Sequence, residues 1–154
     1  MDVSIINFEK KYRTYFQTLN EEWLNKYYFI TESDLLLLSN PEKLISEGGF
    51  VFFALMDNDV VGTCALIPHG ESCFEIIKMA VSEHVQNYGI GSLLMKKCIA
   101  FAKKNGAKKI TLETAVPLKA AIHLYKKFGF IQTSEEYTHP VFKRTTFLME
   151  LKLK

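Results

Sequence analysis

The sequence has few cysteines, and no two of them lie close together in the chain. Cys64, Cys73 and Cys98 occur singly within apolar segments, with no Cys-x-x-Cys pair. The histidines at 69, 84, 123 and 139 are equally dispersed. This spacing supports neither a metal site, a covalent cysteine route nor a Ser/His triad. We therefore predict reduced core cysteines and no bound metal.

The sequence also lacks a long apolar run and a concentrated positive charge. No apolar run approaches membrane-spanning length, and the N-terminus lacks the charged head and apolar stretch of a secretory signal. The formal net charge is +2, and the basic residues are scattered rather than aligned in a stripe. These absences predict no nucleic-acid partner, no membrane association and, by elimination, a cytoplasmic location.

What the chain does have is enough apolar residue content for a folded core. It contains 154 residues, of which 48% are hydrophobic and 13% aromatic. This composition argues against disorder and is typical of one domain of ordinary size. We therefore predict a single domain over residues 1–154.

The apolar periodicity predicts a mixed α+β fold. The predicted strands are Val3–Phe8, Phe50–Leu55, Val60–Pro68, Phe74–Val81, Lys109–Thr114, Phe130–Tyr137 and Thr145–Leu153. The predicted helices are Tyr12–Tyr27, Leu35–Leu38 after a Thr31 cap, Pro41–Glu47, Ile90 to the Asn105-Gly106 stop, and Pro117–Phe128. With a hairpin turn at Asn58-Asp59, this order indicates a mixed sheet with helices on both faces.

The most informative segment is the hexapeptide Gln86-Asn87-Tyr88-Gly89-Ile90-Gly91, which joins a strand to a helix. Glycines allow close approach of a ligand, and the first helical turn has unpaired N–H groups that favour a phosphate or pyrophosphate. A bare tight connection is the alternative interpretation. The segment is not a Walker loop, and Leu94 stands where a dinucleotide fingerprint has its third glycine, so nucleotide hydrolysis and hydride transfer are disfavoured.

Two motifs together resemble those of a known family. The Gln-x-x-Gly-x-Gly pattern after Lys78-Met79-Ala80-Val81 resembles the acetyl-CoA loop of the GNAT acyltransferase superfamily. Downstream, the ten residues 121–130 are similar to that superfamily's A-I-x-L-Y-x-K-x-G-F signature. The resemblance implies a GNAT-like acyl-CoA N-acyltransferase fold. That fold has a central mixed, largely antiparallel sheet of about six to seven strands, splayed between strands 4 and 5.

The resemblance implies acetyl-CoA as co-substrate. It implies a coenzyme-binding core over residues 50–154 and a helical acceptor-side segment over residues 1–49. Backbone groups of Met79 and Val81, beside a bulge, are implied to bind the pantetheine arm and face the thioester carbonyl. The full implied set is Met79, Ala80, Val81, Gln86, Asn87, Tyr88, Gly89, Ile90, Gly91, Ser92, Leu118, Ala121, Tyr125 and Lys127.

Glu75 is the first candidate for the general base. Its apolar neighbours are expected to raise its pKa by desolvation, and it is placed to take a proton from an ammonium group through water. The position resembles the glutamate of histone-type GNAT enzymes. An outward carboxylate paired with Lys78 is the alternative, and Glu113 is a second acidic candidate that fits a base, a cation-binding residue or a solvent-facing position equally well.

Tyr125 falls at the family's tyrosine, which implies a general acid that donates to the coenzyme sulfur; packing in the core is the alternative. One departure from the family concerns the stretch Ala115-Val116-Pro117-Leu118, which has no asparagine. Leu118 is expected to keep the packing and lose a polar contact to the coenzyme worth about 1 kcal/mol.

The resemblance implies an N-acetyltransferase that transfers acetyl from acetyl-CoA to a primary amine of a small molecule, amino acid or peptide by direct attack. A non-catalytic acyl-CoA-binding or regulatory module is the alternative, and a structural domain with an aromatic dimer interface is a third. Monomer and homodimer both stay open. Tyr27, Tyr28 and Phe29 beside Glu32 and Asp34 suggest an aromatic, acidic pocket for the amine, although plain core is the more ordinary interpretation.

Overall fold

The structure is a computed structural model that describes residues 2–154. Its strands are β1 Val3–Asn7, β2 Phe50–Met56, β3 Asp59–Pro68, β4 Cys73–Val81, β5 Lys109–Thr114, β6 Ile131–Gln132, β7 Tyr137–Thr138 and β8 Thr145–Lys152. Its α-helices are α1 Arg13–Tyr27, α2 Glu32–Leu38, α3 Pro41–Ser46, α4 Ile90–Lys104 and α5 Lys119–Lys127. Two 3-10 helices cover Lys10–Tyr12 and Glu83–Tyr88.

The strands form one mixed sheet. Their order is β1-β2-β3-β4-β5-β8-β6, and β7 pairs with β8. Neighbouring strands are antiparallel except for the parallel pair β4 and β5. Parallel strands require a crossover connection, and here that connection is α4. The predicted mixed, largely antiparallel sheet is confirmed.

Each face of the sheet is covered by helices, so there are two cores. Helices α1 to α3 cover one face, with Phe16, Leu24 and Leu38 packed against Phe53. Helices α4 and α5 cover the other. Gly62 of β3 allows α4 to approach closely, because a Cβ there would lie 3.1 Å from Ile90 Cγ2. The N-terminus of α4 is therefore held directly over the middle of the sheet.

The sheet opens between β4 and β5. Only the residues from Cys73 to Ile76 pair with β5, the last pair being Ile76 with Leu112. Lys78 has a φ of +54°, and the register with β3 shifts there, since Thr63 pairs with Ala80 whereas Ala65 pairs with Ile77. A bulge of this kind increases local twist and turns the strand away from its neighbour. The predicted splay is confirmed, and the bulge lies at its start.

The prediction of one strand over residues 130–137 is wrong. It is divided into β6 and β7, which raises the number of strands among residues 2–154 to eight. Between them the Ser134 side chain intervenes: its hydroxyl donates to Glu135 O at 2.9 Å and accepts from Leu148 N at 2.9 Å. The Ser134 hydroxyl thus takes the place of a backbone carbonyl as the hydrogen-bond acceptor. The apolar periodicity of the sequence does not predict such a side-chain bond.

Most predicted boundaries shift by one or two residues. Helix α5 begins at Lys119 rather than Pro117, because Leu118 has a non-helical ψ of 60°. The hairpin turn is Asp57-Asn58, with φ values of 50° and 75°, which suits a two-residue primed turn. The segment predicted as a glycine loop begins as a 3-10 helix, Glu83–Tyr88.

The cysteines lie in the interior, as predicted. Cys64, Cys73 and Cys98 are free and buried, and the Sγ atoms of Cys64 and Cys98 are 3.4 Å apart. The hydrogen bond with Cys98 and burial both raise the pKa of Cys64. Over residues 2–154, no helix has the length and apolar character needed to cross a bilayer. The cytoplasmic location stays a prediction.

Candidate active site

The N-terminus of α4 presents unpaired backbone donors. Gly89 precedes the helix in the left-handed conformation, with φ 75° and no side-chain cap. The first turn closes with the bond from Leu93 N to Gly89 O at 3.1 Å. Because intrahelical bonds begin at Leu93, the N–H groups of Ile90, Gly91 and Ser92 are left without helical acceptors. This helix end can bind an anion.

The two glycines have different roles there. A Cβ at Gly89 would meet nothing within 4 Å, so this residue faces open space and is required for its positive φ. A Cβ at Gly91 would lie 3.1 Å from Leu124 Cδ2. Gly91 therefore lets α4 begin close to α5. The structure brings the two motifs that were separated in the sequence against each other.

The preceding 3-10 helix is tied to the end of β4. Gln86 Nε2 donates to Val81 O at 3.4 Å, and Asn87 and Tyr88 are exposed on the way to Gly89. Ser92 follows in the first turn of α4 and is half-buried. These residues follow the end of β4, beside the gap between β4 and β5, and their binding role stays a prediction.

Backbone groups of β4 line the gap. Ser82 N donates to Val61 O of β3 at 2.8 Å, and Ala80 is in register with Thr63. Backbone groups alternate in direction along a strand, so those of Met79 and Val81 point away from β3. They face the gap that β5 leaves open beyond Ile76.

Thr114 ends β5 at the same gap and carries an unsatisfied hydroxyl. Its backbone carbonyl accepts from Thr146 Oγ1 at 2.8 Å. Its own Oγ1 is buried and has no hydrogen-bond partner in the part of the chain that the structure describes. An unpaired buried hydroxyl costs about 1–3 kcal/mol. Thr114 thus offers hydrogen-bonding capacity near the stretch that lacks the family's asparagine, and sequence reasoning missed it.

The α5 residues of the predicted set divide into buried and exposed groups. Ala121 and Tyr125 pack against the core under α4 and α5, whereas Lys127 is exposed in the last turn. Leu118 is half-buried at the N-cap.

Taken together, the uncapped helix end, the outward backbone of β4 and the orphaned Thr114 hydroxyl fit a long ligand with a phosphate end and an amide-bearing arm.

Tyr125 is a buried phenol. Its side chain is 8% exposed and its ring centroid lies 6.0 Å from that of Phe130. Burial, followed by the nearby Cys64 and Cys98 thiols, raises the pKa of Tyr125 to about 12. The hydroxyl therefore stays protonated at neutral pH and is a proton donor, as a general acid requires.

Glu75 lies on the other face of the sheet. Its neighbour Ile76 packs in the core under α4, so strand alternation directs Glu75 towards the side of α1 to α3. Its side chain is 14% exposed, with Oε1 3.6 Å from His69 Nδ1. Burial and the charge of Glu113 raise the pKa of Glu75, and His69 partly offsets them. The alternative pairing with Lys78 does not occur.

Glu113 of β5 is held by two partners. The Tyr137 hydroxyl donates to its Oε2, and His139 Nε2 lies 3.4 Å from its Oε1. Burial and the bond to Glu113 raise the pKa of Tyr137. Glu113 is therefore an ordered carboxylate of the same face as Glu75, since residues 75 and 111 are in register. Sequence reasoning had no signal for Tyr137.

The aromatic, acidic pocket proposed around Tyr27 to Asp34 does not form as expected. The carboxylate of Asp34 is fully buried and is bonded to Thr31, Lys78 and Arg144. Phe29 is 92% exposed. Burial alone would raise the pKa of Asp34, but the bonds from Arg144 and Thr31 and the charge of Lys78 lower it to about 2. Asp34 is thus already paired and leaves no free acid for an amine.

The side chains that commonly bind metals do not cluster in the described part of the chain. Among residues 2–154, no three His, Cys, Asp or Glu side chains converge as a metal site would require. The predicted absence of a metal stays a prediction.

Comparison with protein families gives one match over most of the chain. Residues 10–130 match the family described as the Acetyltransferase (GNAT) family. A curated relative, "Uncharacterized N-acetyltransferase YvbK" of Bacillus subtilis, is 35% identical over 101 residues, which cover 63% of this chain and 65% of that protein. A fission yeast relative, "Uncharacterized N-acetyltransferase C1271.07c", is matched over 66% of its length. The chain thus spans just under two thirds of these relatives.

Solved structures show the same fold. An acetyltransferase of the GNAT family from Staphylococcus aureus Mu50 superimposes with a TM-score of 0.88 at 22% identity, covering 99% of this chain and all of that one (100%). A GNAT family acetyltransferase from Elizabethkingia anophelis with acetyl-CoA bound gives a TM-score of 0.66 at 24% identity, covering 98% of each chain. At this identity the likeness concerns the fold, and it confirms the predicted fold class.

Proposed function

This chain belongs to the GNAT acetyltransferase family, and on that premise we propose that it transfers the acetyl group of acetyl-CoA to a primary amine of a small molecule, amino acid or peptide. The observation that carries the proposal is the gap beyond Ile76, where β4 separates from β5 beside the uncapped N-terminus of α4. One feature offers backbone partners to an extended arm, and the other offers donors to a phosphate.

The coenzyme side is the face of α4 and α5. Acetyl-CoA supplies an acetyl thioester, whose carbonyl is open to attack by an amine. Ile90, Gly91 and Ser92 N–H groups bind the diphosphate, Met79 and Val81 backbone groups bind the arm and orient the carbonyl, and the Thr114 hydroxyl is a further candidate donor to the arm. Gln86 positions the 3-10 helix against Val81.

The acceptor side is the face of α1 to α3, where Glu75 takes a proton from the acceptor ammonium, directly or through water. The neutral amine attacks the carbonyl carbon, a carbon–nitrogen bond forms, and the carbon–sulfur bond breaks. The Tyr125 hydroxyl donates its proton to the departing sulfur, and the proton released by the amide nitrogen restores the balance through solvent. The raised pKa of Glu75 makes its carboxylate a stronger base, and the raised pKa of Tyr125 keeps its hydroxyl protonated until negative charge develops on the departing sulfur.

The test is thiol release from acetyl-CoA with a panel of amines, amino acids and peptides, combined with calorimetric titration of acetyl-CoA. We expect coenzyme binding together with amine-dependent thiol release. Binding without release across the panel would instead support the non-catalytic acyl-CoA-binding module. No heat of binding would contradict both.

A further inference from the structure

Two cations share a single buried carboxylate on the acceptor face. Lys78 Nζ lies 3.2 Å from Asp34 Oδ1, and Arg144 Nη2 donates to Asp34 Oδ2. The side chains of Lys78, Arg144 and Asp34 are 9%, 13% and 0% exposed. The group therefore holds one more positive charge than negative charge away from water, which is unfavourable unless further partners compensate.

The aromatic neighbours compensate only in part. The Lys78 ammonium lies 4.2 Å from the centre of the Phe142 ring, and the Arg144 guanidinium lies 5.3 Å from both Phe142 and Tyr28. Aromatic faces attract cations but accept weak hydrogen bonds at most. Arg144 Nε is buried and has no hydrogen-bond partner in the described part of the chain. Donors for an anion are therefore left over.

Carboxylates lie close to these cations on the acceptor face, since the charge of Glu113 acts on the Lys78 ammonium. Segment 139–144, which connects β7 to β8, joins the two groups. At its start His139 contacts Glu113, and at its end Arg144 contacts Asp34. The segment is held closed by the bond from His139 N to Arg144 O at 2.7 Å. Lys78 itself lies in the bulge, directly before Met79.

We propose that the acceptor is a zwitterion, an amino acid whose ammonium group lies at Glu75 and Glu113 and whose carboxylate lies against Lys78 and Arg144. This inference rests on the proposed function for the role of the amine, while carboxylate binding can be measured separately. An added anion would offset the excess charge and accept the unused Nε–H of Arg144. Because both cations are nearly enclosed, the anion must be small, as a carboxylate is.

The burial of Lys78 supports a carboxylate-binding role for this residue. Desolvation lowers the pKa of Lys78, and the charge of Arg144 lowers it further, although Asp34 and, to a smaller extent, Glu113 oppose both. A bound carboxylate would relieve the repulsion between the two cations. Charge-assisted hydrogen bonds of this kind are the strong ones in proteins.

The experiment is calorimetric titration of the twenty common amino acids and of their carboxamides, with the protein saturated by CoA. The carboxamide keeps the ammonium and loses only the carboxylate charge. We expect at least one amino acid to bind about tenfold more tightly than its own amide, the difference that one charge-assisted contact makes. Equal affinities of acid and amide, or no binding by any amino acid, would overturn the proposal.

Two variants test whether Lys78 and Arg144 cause the preference for the carboxylate. In Arg144→Gln and in Lys78→Met we expect the preference for the carboxylate to fall to about threefold or less, because each removes one of its partners. Arg13→Gln is the matched control, since Arg13 pairs with Glu42 at 2.8 Å on the side of α1 and α3, away from this segment. Circular dichroism shows whether each variant is folded. If Arg144→Gln does not fold, Arg144→Lys, which keeps the positive charge, takes its place. A preference that survives in every folded variant overturns the assignment.

Thiol release separates this proposal from the proposed function. Carboxylate preference in calorimetry without thiol release would support the zwitterion site and contradict the transferase. Equal thiol release with amines that have and lack a carboxylate would support the transferase and overturn the zwitterion site.

Discussion

The Tyr137 hydroxyl donates a hydrogen bond to Oε2 of Glu113, and this bond joins β7 to β5 across 24 positions of sequence. It holds the Glu113 carboxylate on the same face as Glu75. The charge of Glu113 is one cause of the raised pKa of Glu75. Burial is the larger cause, so the carboxylate that the tyrosine keeps in place adds to the proton affinity of the candidate base.

Glu75→Gln tests the base. We expect kcat to fall about 100-fold with little change in KM for acetyl-CoA, because the amide cannot take a proton and does not contact the coenzyme face. Steady-state thiol release measures both constants. Glu47→Gln, which changes an exposed glutamate at the end of α3, is the control. Wild-type turnover in Glu75→Gln would remove this residue from the mechanism.

The pH profile tests the influence of Glu113 on Glu75. Burial and Glu113 raise the pKa of Glu75 above 4.5, so the acidic limb of kcat/KM is expected above that pH, with the rate rising as the carboxylate forms. Glu113→Gln removes the negative neighbour and should move the limb to lower pH. The raised pKa also means that protonated Glu75 favours folding below its unfolded pKa, and that this contribution is lost as pH rises through the folded value. An unmoved limb would show that the two carboxylates are not coupled.

Tyr125→Phe tests the general acid. We expect about 10-fold to 100-fold slower turnover and nearly unchanged coenzyme affinity, because the ring packing is kept and only the proton donor is lost. Calorimetry of acetyl-CoA and thiol release measure the two effects. Tyr15→Phe on α1, where the side chain is 41% exposed, serves as the control. Unaltered turnover would show that Tyr125 contributes packing and does not act as the general acid.

Gly89→Val tests the anion site, and Gly106→Val is its matched control. Both glycines have a positive φ, 75° and 77°, and a Cβ at either position would meet no atom within 4 Å, but they lie at opposite ends of α4. Each substitution should therefore cost about 1–2 kcal/mol of stability through backbone strain. Only Gly89→Val should weaken acetyl-CoA binding, by about tenfold or more. Equal affinities in the two variants would place the diphosphate elsewhere.

Asp34→Asn tests the buried ion group. We expect a loss of about 3–5 kcal/mol in the free energy of unfolding, because two buried cations lose their shared carboxylate. The pKa of Asp34 is lowered from 3.8 to about 2, so its contribution is present above 3.8 and is lost as pH falls towards 2. Urea unfolding at pH 7 and at acid pH measures both effects. Glu42→Gln is the control, and a comparable loss there would contradict the role of burial.

Local patterns were enough to predict the strand, the glycine turn and the helix that follow one another at the gap in the sheet. The strand, the glycines and the amphipathic helix α4 are consecutive in the chain, so their order in sequence is their order in space. The prediction failed at 130–137, where the Ser134 hydroxyl interrupts the ladder. It also missed Thr114, because whether a hydroxyl finds a partner depends on neighbours from other strands.

By itself, the sequence determined the element order, the two-sided core and the glycine turn before α4, because each of these follows from apolar period or from backbone freedom at a glycine. Only the tertiary structure decided the charge pairs on the face under α1 to α3. The contacts of Asp34 with Lys78 and Arg144 join residues 44 and 110 positions apart. Charge pairing at such separations depends on which faces of the folded sheet meet, and no local pattern in the chain encodes that.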